Sequence, residues 1–280
     1  MSFIEQSHRK AFILAPVLLL LLFSLTVSAQ APPPTNQPPA DNTYIEGAVL
    51  WQQRSGERRA LSYQAFTLAR VMLDRDLRVN RRVGKPRAVI VDLDETILDN
   101  SRFEGTLVKN RINFNQKDWT DWVNRAEATA VPGSVEFLRY AASRGVRVFY
   151  ITNRNESQKQ GTATNLKKLG FPNVNEQTLL VQTDLSSLSK ESRRQTVGAK
   201  YRIVLLMGDD LNDFAALFEN SKTVESRVEA ADRNKDQFGT RFIMLPNPMY
   251  GSWESAFYDF NLKLTEAEKA AKRRSALMAY

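Results

Sequence analysis

The chain contains no cysteine. That excludes a disulfide framework, a thiolate nucleophile, a cysteine-ligated metal and a lipid-modified cysteine anchor, whatever the redox state of its compartment. Histidine is almost as scarce, because the single one, His8, falls in an N-terminal stretch that reads as a leader. A chain without either residue cannot use a histidine nucleophile, a Ser-His-Asp triad or a His/Cys zinc site. Its chemistry must run on carboxylates, lysine, arginine, hydroxyls and metals that prefer oxygen. Long basic runs are also missing: Lys and Arg (39) exceed Asp and Glu (31), but as scattered pairs such as Arg58-Arg59, Arg81-Arg82 and Arg193-Arg194, and as Lys272-Arg273-Arg274. A nucleic-acid polymer needs a concentrated patch or a recognisable module, and neither is present. These basic residues read first as a solvated basic surface, and functionally as a positive field that draws in an anionic substrate.

Residues 1–29 have a basic start (Arg9, Lys10), an apolar run from Ala11 to about Val27, and small residues at Val27 and Ala29. This pattern predicts a secretory signal peptide cut after Ala29, and hence a periplasmic or secreted protein with no lasting membrane anchor. Pro16, Ser24 and Thr26 interrupt the run, whereas a spanning helix needs roughly 20 mostly apolar residues. Cleavage leaves 251 residues carrying 37 basic and 30 acidic side chains, a net charge of +7. Residues 30–43, with the run PPPTNQPP, form an extended linker, and 44–280 is long enough for one large α/β domain.

Within that domain, apolar residues from Val49 to Met72 recur at helical spacing with a break near Ser55-Gly56, which predicts two helices. Four short apolar runs follow, at Ala88–Val91, Val146–Ile151, Leu179–Gln182 and Ile203–Met207, with a fifth at Phe242–Leu245. Helical segments separate them, among them Ser134 to Arg144 and Glu156 to Leu169, the latter closed by Gly170. Strands alternating with helices predict a doubly wound parallel α/β sheet. From Asn100 the period is lost for about thirty residues, too many for a tight βα connection, which predicts a small α-rich cap insert at about 99–131.

Two of the apolar strands run straight into acids. Asp92 and Asp94, with Thr96, follow the first; Asp209, Asp210 and Asp213 follow the fourth; Thr152 and Asn153 end the second. In an open parallel sheet the C-terminal strand tips share one crevice, so Asp92, Asp94, Thr152, Asn153, Lys190, Asp209 and Asp213 are expected to converge there. Gathered carboxylates repel, and without histidine or cysteine the fitting counter-ion is a hard, oxygen-ligated Mg²⁺. Such a site suits phosphoryl transfer: Asp92 attacks phosphorus, Asp94 moves the proton, and Thr152, Asn153 and Lys190 hold the phosphoryl oxygens. Asp213 orients Lys190 or a metal-bound water. The alternative for any one acid pair is a helix cap, and Asp210 and Asp99 are expected to do only structural work.

The string DLDET at 92–96, the strand ending in Thr152-Asn153, the downstream Lys190 and GDDLND at 208–213 resemble the four motifs of the haloacid dehalogenase (HAD) superfamily, in its four-aspartate phosphatase branch. DLDETILDN, DWTDW, PGSVEFL, FYITNR and FIMLPNPMYGSWE are similar more narrowly to the bacterial class C nonspecific acid phosphatases. The resemblance covers roughly residues 44–253. It implies a HAD-like (Rossmannoid) fold and hydrolysis of 5′-nucleotides and other phosphomonoesters through an aspartyl-phosphate. It makes Asp92 the nucleophile and Asp94 the acid/base, with Asp92, the Asp94 main-chain carbonyl and Asp209 as Mg²⁺ ligands. It also suggests an aromatic substrate slot from Trp119, Tyr250 and Trp253, whereas Trp119 and Trp122 at i, i+3 could equally pack the insert onto the body. Many members are lipoproteins; this chain lacks the cysteine for that. The expected partner is a small phosphomonoester, with no nucleic-acid polymer and with room for a homodimer. A silent binding or storage protein and a phosphotransferase would use the same scaffold, the first without need of the intact aspartate set.

Overall fold

The computed structural model describes residues 42–79, 84–261 and 263–280. The predicted leader and the run PPPTNQPP lie outside the described residues. In chain order the elements are α1 (Glu46–Arg54), α2 (Gly56–Val79), β1 (Arg87–Val91), β2 (Leu98–Asp99), α3 (Ser101–Asn110), α4 (Gln116–Arg125), β3 (Thr129–Ala130), α5 (Ser134–Ser143) and β4 (Arg147–Asn155). They continue with α6 (Glu156–Leu169), β5 (Leu179–Gln182), α7 (Glu191–Lys200), β6 (Arg202–Gly208), α8 (Ala216–Glu219), α9 (Val224–Arg233), β7 (Phe242–Met244), α10 (Ser252–Ala256) and α11 (Glu266–Ala276).

Five strands form one sheet in the order β5-β4-β1-β6-β7, every pairing parallel. β1 is central, and its residues alternate between two cores. Val89 and Val91 face Phe66 and Leu73 of α2, Phe137 and Leu138 of α5, and Leu166 of α6. Ala88 and Ile90 face Val197 of α7, Phe218 of α8 and Ala230 of α9. Both faces are dry, which is why the strand reads as a continuous apolar run without alternation. The architecture is the doubly wound parallel α/β sheet expected from the pattern.

Differences from the expected elements have local causes. β4 runs past Ile151 to Asn155, because the polar tip still pairs with β5 through Asn155 and Gln182. Between β1 and α5 the chain makes a two-residue antiparallel ladder, Leu98 with Ala130 and Asp99 with Thr129, and places α3 and α4 inside it. Strands this short carry no readable period. The two helices meet through aromatics: Phe103 lies edge-on to Trp119 at 5.2 Å and 6.5 Å from Trp122. Asn115 caps α4, its side chain accepting from the Asp118 N–H at 2.9 Å. Among the described residues no helix is long and apolar enough to cross a membrane.

Leu73, fully buried between α2 and the sheet, tests whether α2 belongs to this core. Leu73→Ala should lower unfolding free energy by about 2–5 kcal/mol in denaturant titrations. A loss well below that would show that α2 packs loosely.

Candidate active site

The strand register brings the tips of β1, β4 and β6 together. Val91 pairs with Tyr150 on one side and Met207 on the other, and the Asp92 N–H donates to the Met207 carbonyl at 2.9 Å. Asp92 therefore leaves the sheet beside Gly208-Asp209. Glycine is required there, because a Cβ on residue 208 would lie 2.3 Å from Asp213 Oδ2 and 2.4 Å from its Cβ.

Lys190, the residue before α7, is buried and reaches both strand tips. Its ammonium pairs with Asp92 Oδ1 and donates to Asp213 Oδ1 at 2.7 Å. The Thr96 hydroxyl lies 3.1 Å from both Asp92 Oδ2 and Asp209 Oδ1, and Asn247 Nδ2 donates to the other oxygen of Asp209 at 2.8 Å. Carboxylate oxygens of Asp92, Asp209 and Asp213 all fall within 4.8 Å of one another. Three acids so close fit a divalent cation by donor type, all oxygen and mostly anionic.

Their electrostatics follow from crowding. Burial pushes the Asp92 carboxyl up to about 7, against the pull of Lys190 and with the help of Asp213 and Asp94. Burial likewise raises Asp209, whose neighbours Asp92 and Asp213 add repulsion, and raises Asp213 despite its lysine partner. Burial alone would lower the Lys190 ammonium, but Asp213 and Asp92 outweigh it and raise its pKa.

Asp94 stands apart from this trio. Its carboxylate turns toward β4, where the buried Arg154 guanidinium grips it with Nη2 at 2.7 Å and Nε at 3.1 Å, and Asn100 Nδ2 donates at 2.9 Å. The Thr152 hydroxyl is 3.4 Å away. The Asn153 side chain does not join the acids: it donates to the Leu188 carbonyl and accepts from Arg193, whose guanidinium also holds the Thr152 carbonyl. Asp210 accepts from the Asn212 and Ser252 N–H groups and pairs with Arg227, while Asp99 pairs with Arg58.

The aromatic residues divide. Trp122 donates to Asn100 Oδ1 at 2.9 Å and packs on the core. Trp119 carries the Arg154 guanidinium over its ring at 5.5 Å, one residue removed from Asp94. Tyr250 gives its hydroxyl to Glu95, and Trp253, 42% exposed, donates to the Tyr250 carbonyl at 3.1 Å.

Arg154, Thr96, Glu95, Asn100 and Asn247 are absent from the sequence-based site. Arg154 reads as the solvated end of a strand, since nothing in the string TNR reveals a buried guanidinium. Glu95 sits at φ 59° and is buried, its carboxylate accepting from the Asn100 N–H at 2.7 Å. A non-glycine residue in that region is strained unless its surroundings hold it, and here Asn100 and Tyr250 do. A wide concavity of about 960 Å³ opens at the opposite, N-terminal ends of β1 and β6, far along the strands from these acids.

Raised carboxyl pKa values have a definite sign in stability. Such a group favours the fold below its unfolded-state pKa, and that contribution is lost as pH rises through its folded-state value. The metal-free protein should therefore melt lower at pH 8 than at pH 5.5, with a divalent cation or Asp92→Asn narrowing the gap. A metal-free melting temperature that climbs over this interval would contradict the pKa directions given.

Comparison with known proteins identifies the family. The family model for "HAD superfamily, subfamily IIIB (Acid phosphatase)" matches residues 21–253. The class C acid phosphatase of Bacillus anthracis, also solved with tungstate bound, superposes with a TM-score of 0.81 at 40% identity, over 85% of this chain and 98% of that one. The Glycine max stem 31 kDa glycoprotein is 25% identical over 211 residues, 74% of this chain and 71% of its own. Acid phosphatase 1 of Solanum lycopersicum is 26% identical over 165 residues, 58% of this chain and 57% of its own. With β1 and β6 delivering their aspartates to one lysine, and with matches that span the whole sheet, the chain belongs to the HAD-superfamily subfamily IIIB acid phosphatases and is a phosphomonoester hydrolase.

Proposed function

We propose that the chain is a Mg²⁺-dependent acid phosphatase working through an aspartyl-phosphate on Asp92, in the periplasm or outside the cell. The observation that carries this reading is Lys190 bound to Asp92 and Asp213 at once, with Asp209 in the same group. That arrangement gives a buried nucleophilic carboxylate, a fixed cation beside it, and a second acid that tethers the cation. Tungstate is a tetrahedral oxyanion, and its presence in a structure of the related Bacillus anthracis enzyme supports a phosphate-sized anion as ligand.

In the first step an Asp92 oxygen attacks phosphorus in line, the ester P–O bond breaks, and the departing alkoxide takes the proton of Asp94. In the second, Asp94 accepts a proton from water as that water attacks phosphorus; the acyl-phosphate bond breaks and Asp92 is restored. Lys190 stabilises phosphoryl charge while Asp213 keeps its ammonium aimed, and Thr96 fixes the orientation of Asp92. Thr152 and the main chain around Asn153 line the same tip. Arg154 positions Asp94. Asp92, the Asp94 carbonyl and Asp209 would hold Mg²⁺, which when bound screens negative charge on the phosphoryl oxygens. Trp119 and Trp253, with Tyr250 between the body and Glu95, would offer ring faces to a nucleotide base, stacking that tolerates many bases.

Exhaustive chelation should remove hydrolysis, and Mg²⁺ should restore it. Asp94→Asn should cost about 10²–10⁴-fold in kcat/KM, which reports the step that expels the leaving group, for a nucleoside 5′-monophosphate, whose alkoxide needs a proton, and far less in kcat/KM for nitrophenyl phosphate. Equal losses on both substrates would remove Asp94 from the acid role. Trp119→Ala should raise KM for nucleotides more than for small phosphates; an equal rise would leave Trp119 a packing residue.

A further inference from the structure

Away from the aspartates, a cavity of about 190 Å³ lies at the break between α1 and α2, against the β2–β3 ladder. Gln52 and Arg58, both buried, line it together with Asp99 and Thr129 of the ladder, and the exposed Arg54 and Arg59 stand at its rim. Gln52 is 2% exposed, yet neither its amide nitrogen nor its amide oxygen has a hydrogen-bond partner. Native folds rarely leave a buried amide in that state. Arg58 pairs with Asp99 at 3.2 Å, but its Nη2 also makes no aligned hydrogen bond.

The charge around the cavity is unbalanced. Among its lining residues three arginines face a single carboxylate, with Glu95 acting on Arg58 from outside the lining, and the start of α2, which carries Glu57 in its first turn, adds the positive end of a 24-residue helix. Donors therefore dominate: the Gln52 NH₂, the Arg58 guanidinium and the rim arginines. Among the buried side-chain atoms of the described residues that line it, the unpartnered acceptor is the Gln52 carbonyl oxygen.

We propose that this cavity binds a small tetrahedral oxyanion, with inorganic phosphate as its ligand. Phosphate near neutral pH carries both anionic oxygens and a P–OH. The oxygens accept from Gln52 and Arg58, while the P–OH donates to Gln52 Oε1, so both unpartnered amide atoms are satisfied together. Sulfate has the same shape but no proton to give, and it leaves the amide oxygen unpaired. The choice of phosphate rests on the chain being a phosphatase, which releases it; the site itself does not.

Equilibrium binding of radiolabelled phosphate to the full chain in excess chelator tests the proposal, because a metal-free aspartate cluster repels anions. One phosphate should bind per chain, and sulfate should bind about tenfold more weakly. Gln52→Leu, close in size and without polar atoms, should weaken phosphate binding about tenfold or more, and Gln52→Glu should abolish it. The rim pair Arg54→Ala/Arg59→Ala, which leaves the buried floor intact, should weaken it as well, all with kcat unchanged. No binding by the chelated wild type would overturn the proposal and leave the cavity to water. So would equal affinity in the wild type and the rim variant, or equal affinity for phosphate and sulfate. None of these results bears on whether Asp92 is the nucleophile, since hydrolysis is not the readout.

Discussion

One ammonium group holds this site together. Asp92 and Asp213 come from different strand tips, are both buried, and would repel each other and Asp209 without a cation between them. Lys190 supplies that cation and is itself kept charged by the acids it joins. Leaving any of these carboxylates ionised without it would strand charge in a poorly solvated crevice, which costs far more than a surface ion pair contributes. The sheet exists around this constraint: β1 and β6 must be neighbours, their registers must end together, and residue 208 must lack a side chain so that Asp213 can close in.

The trio still carries more negative charge than one lysine neutralises, and this is the physical opening for chemistry. Burial, with repulsion among the acids added to it, shows itself as raised proton affinity at Asp92, Asp209 and Asp213. The same excess draws a hard divalent cation when one is present. Asp94, two residues from Asp92, is kept out of the crowd by Arg154 and Asn100 on the other side of the tip. Two carboxylates so near in sequence thus sit in different surroundings, a condition for dividing nucleophile and proton carrier between them.

Much of the sheet is legible in the sequence because its strands are buried on both faces. Runs such as AVIV and IVLLM have no other comfortable place, and an acid directly after such a run marks a strand tip. The β2–β3 ladder is not legible, being two residues long on each side. The acids and Lys190 can be found from sequence because burying them together has no bland explanation. Arg154, Asn100 and Asn247 cannot, since one arginine or asparagine after a strand looks like any solvated end; only the fold turns them inward. The Asn153 side chain shows the reverse case: a polar residue at the right tip faces Leu188 and Arg193. Glu95 is hidden for a third reason, because its left-handed backbone is set by contacts with Asn100 and with Tyr250 from far along the chain.

The account stands on a covalent bond between phosphorus and Asp92. Rapid acid quench of the enzyme turning over a phosphomonoester, borohydride reduction of any acyl-phosphate and mass mapping of the peptides would locate that bond. The account predicts reductive conversion at residue 92 alone, lost when substrate is omitted. Reduction at another carboxylate, or none under conditions of full turnover, would contradict it.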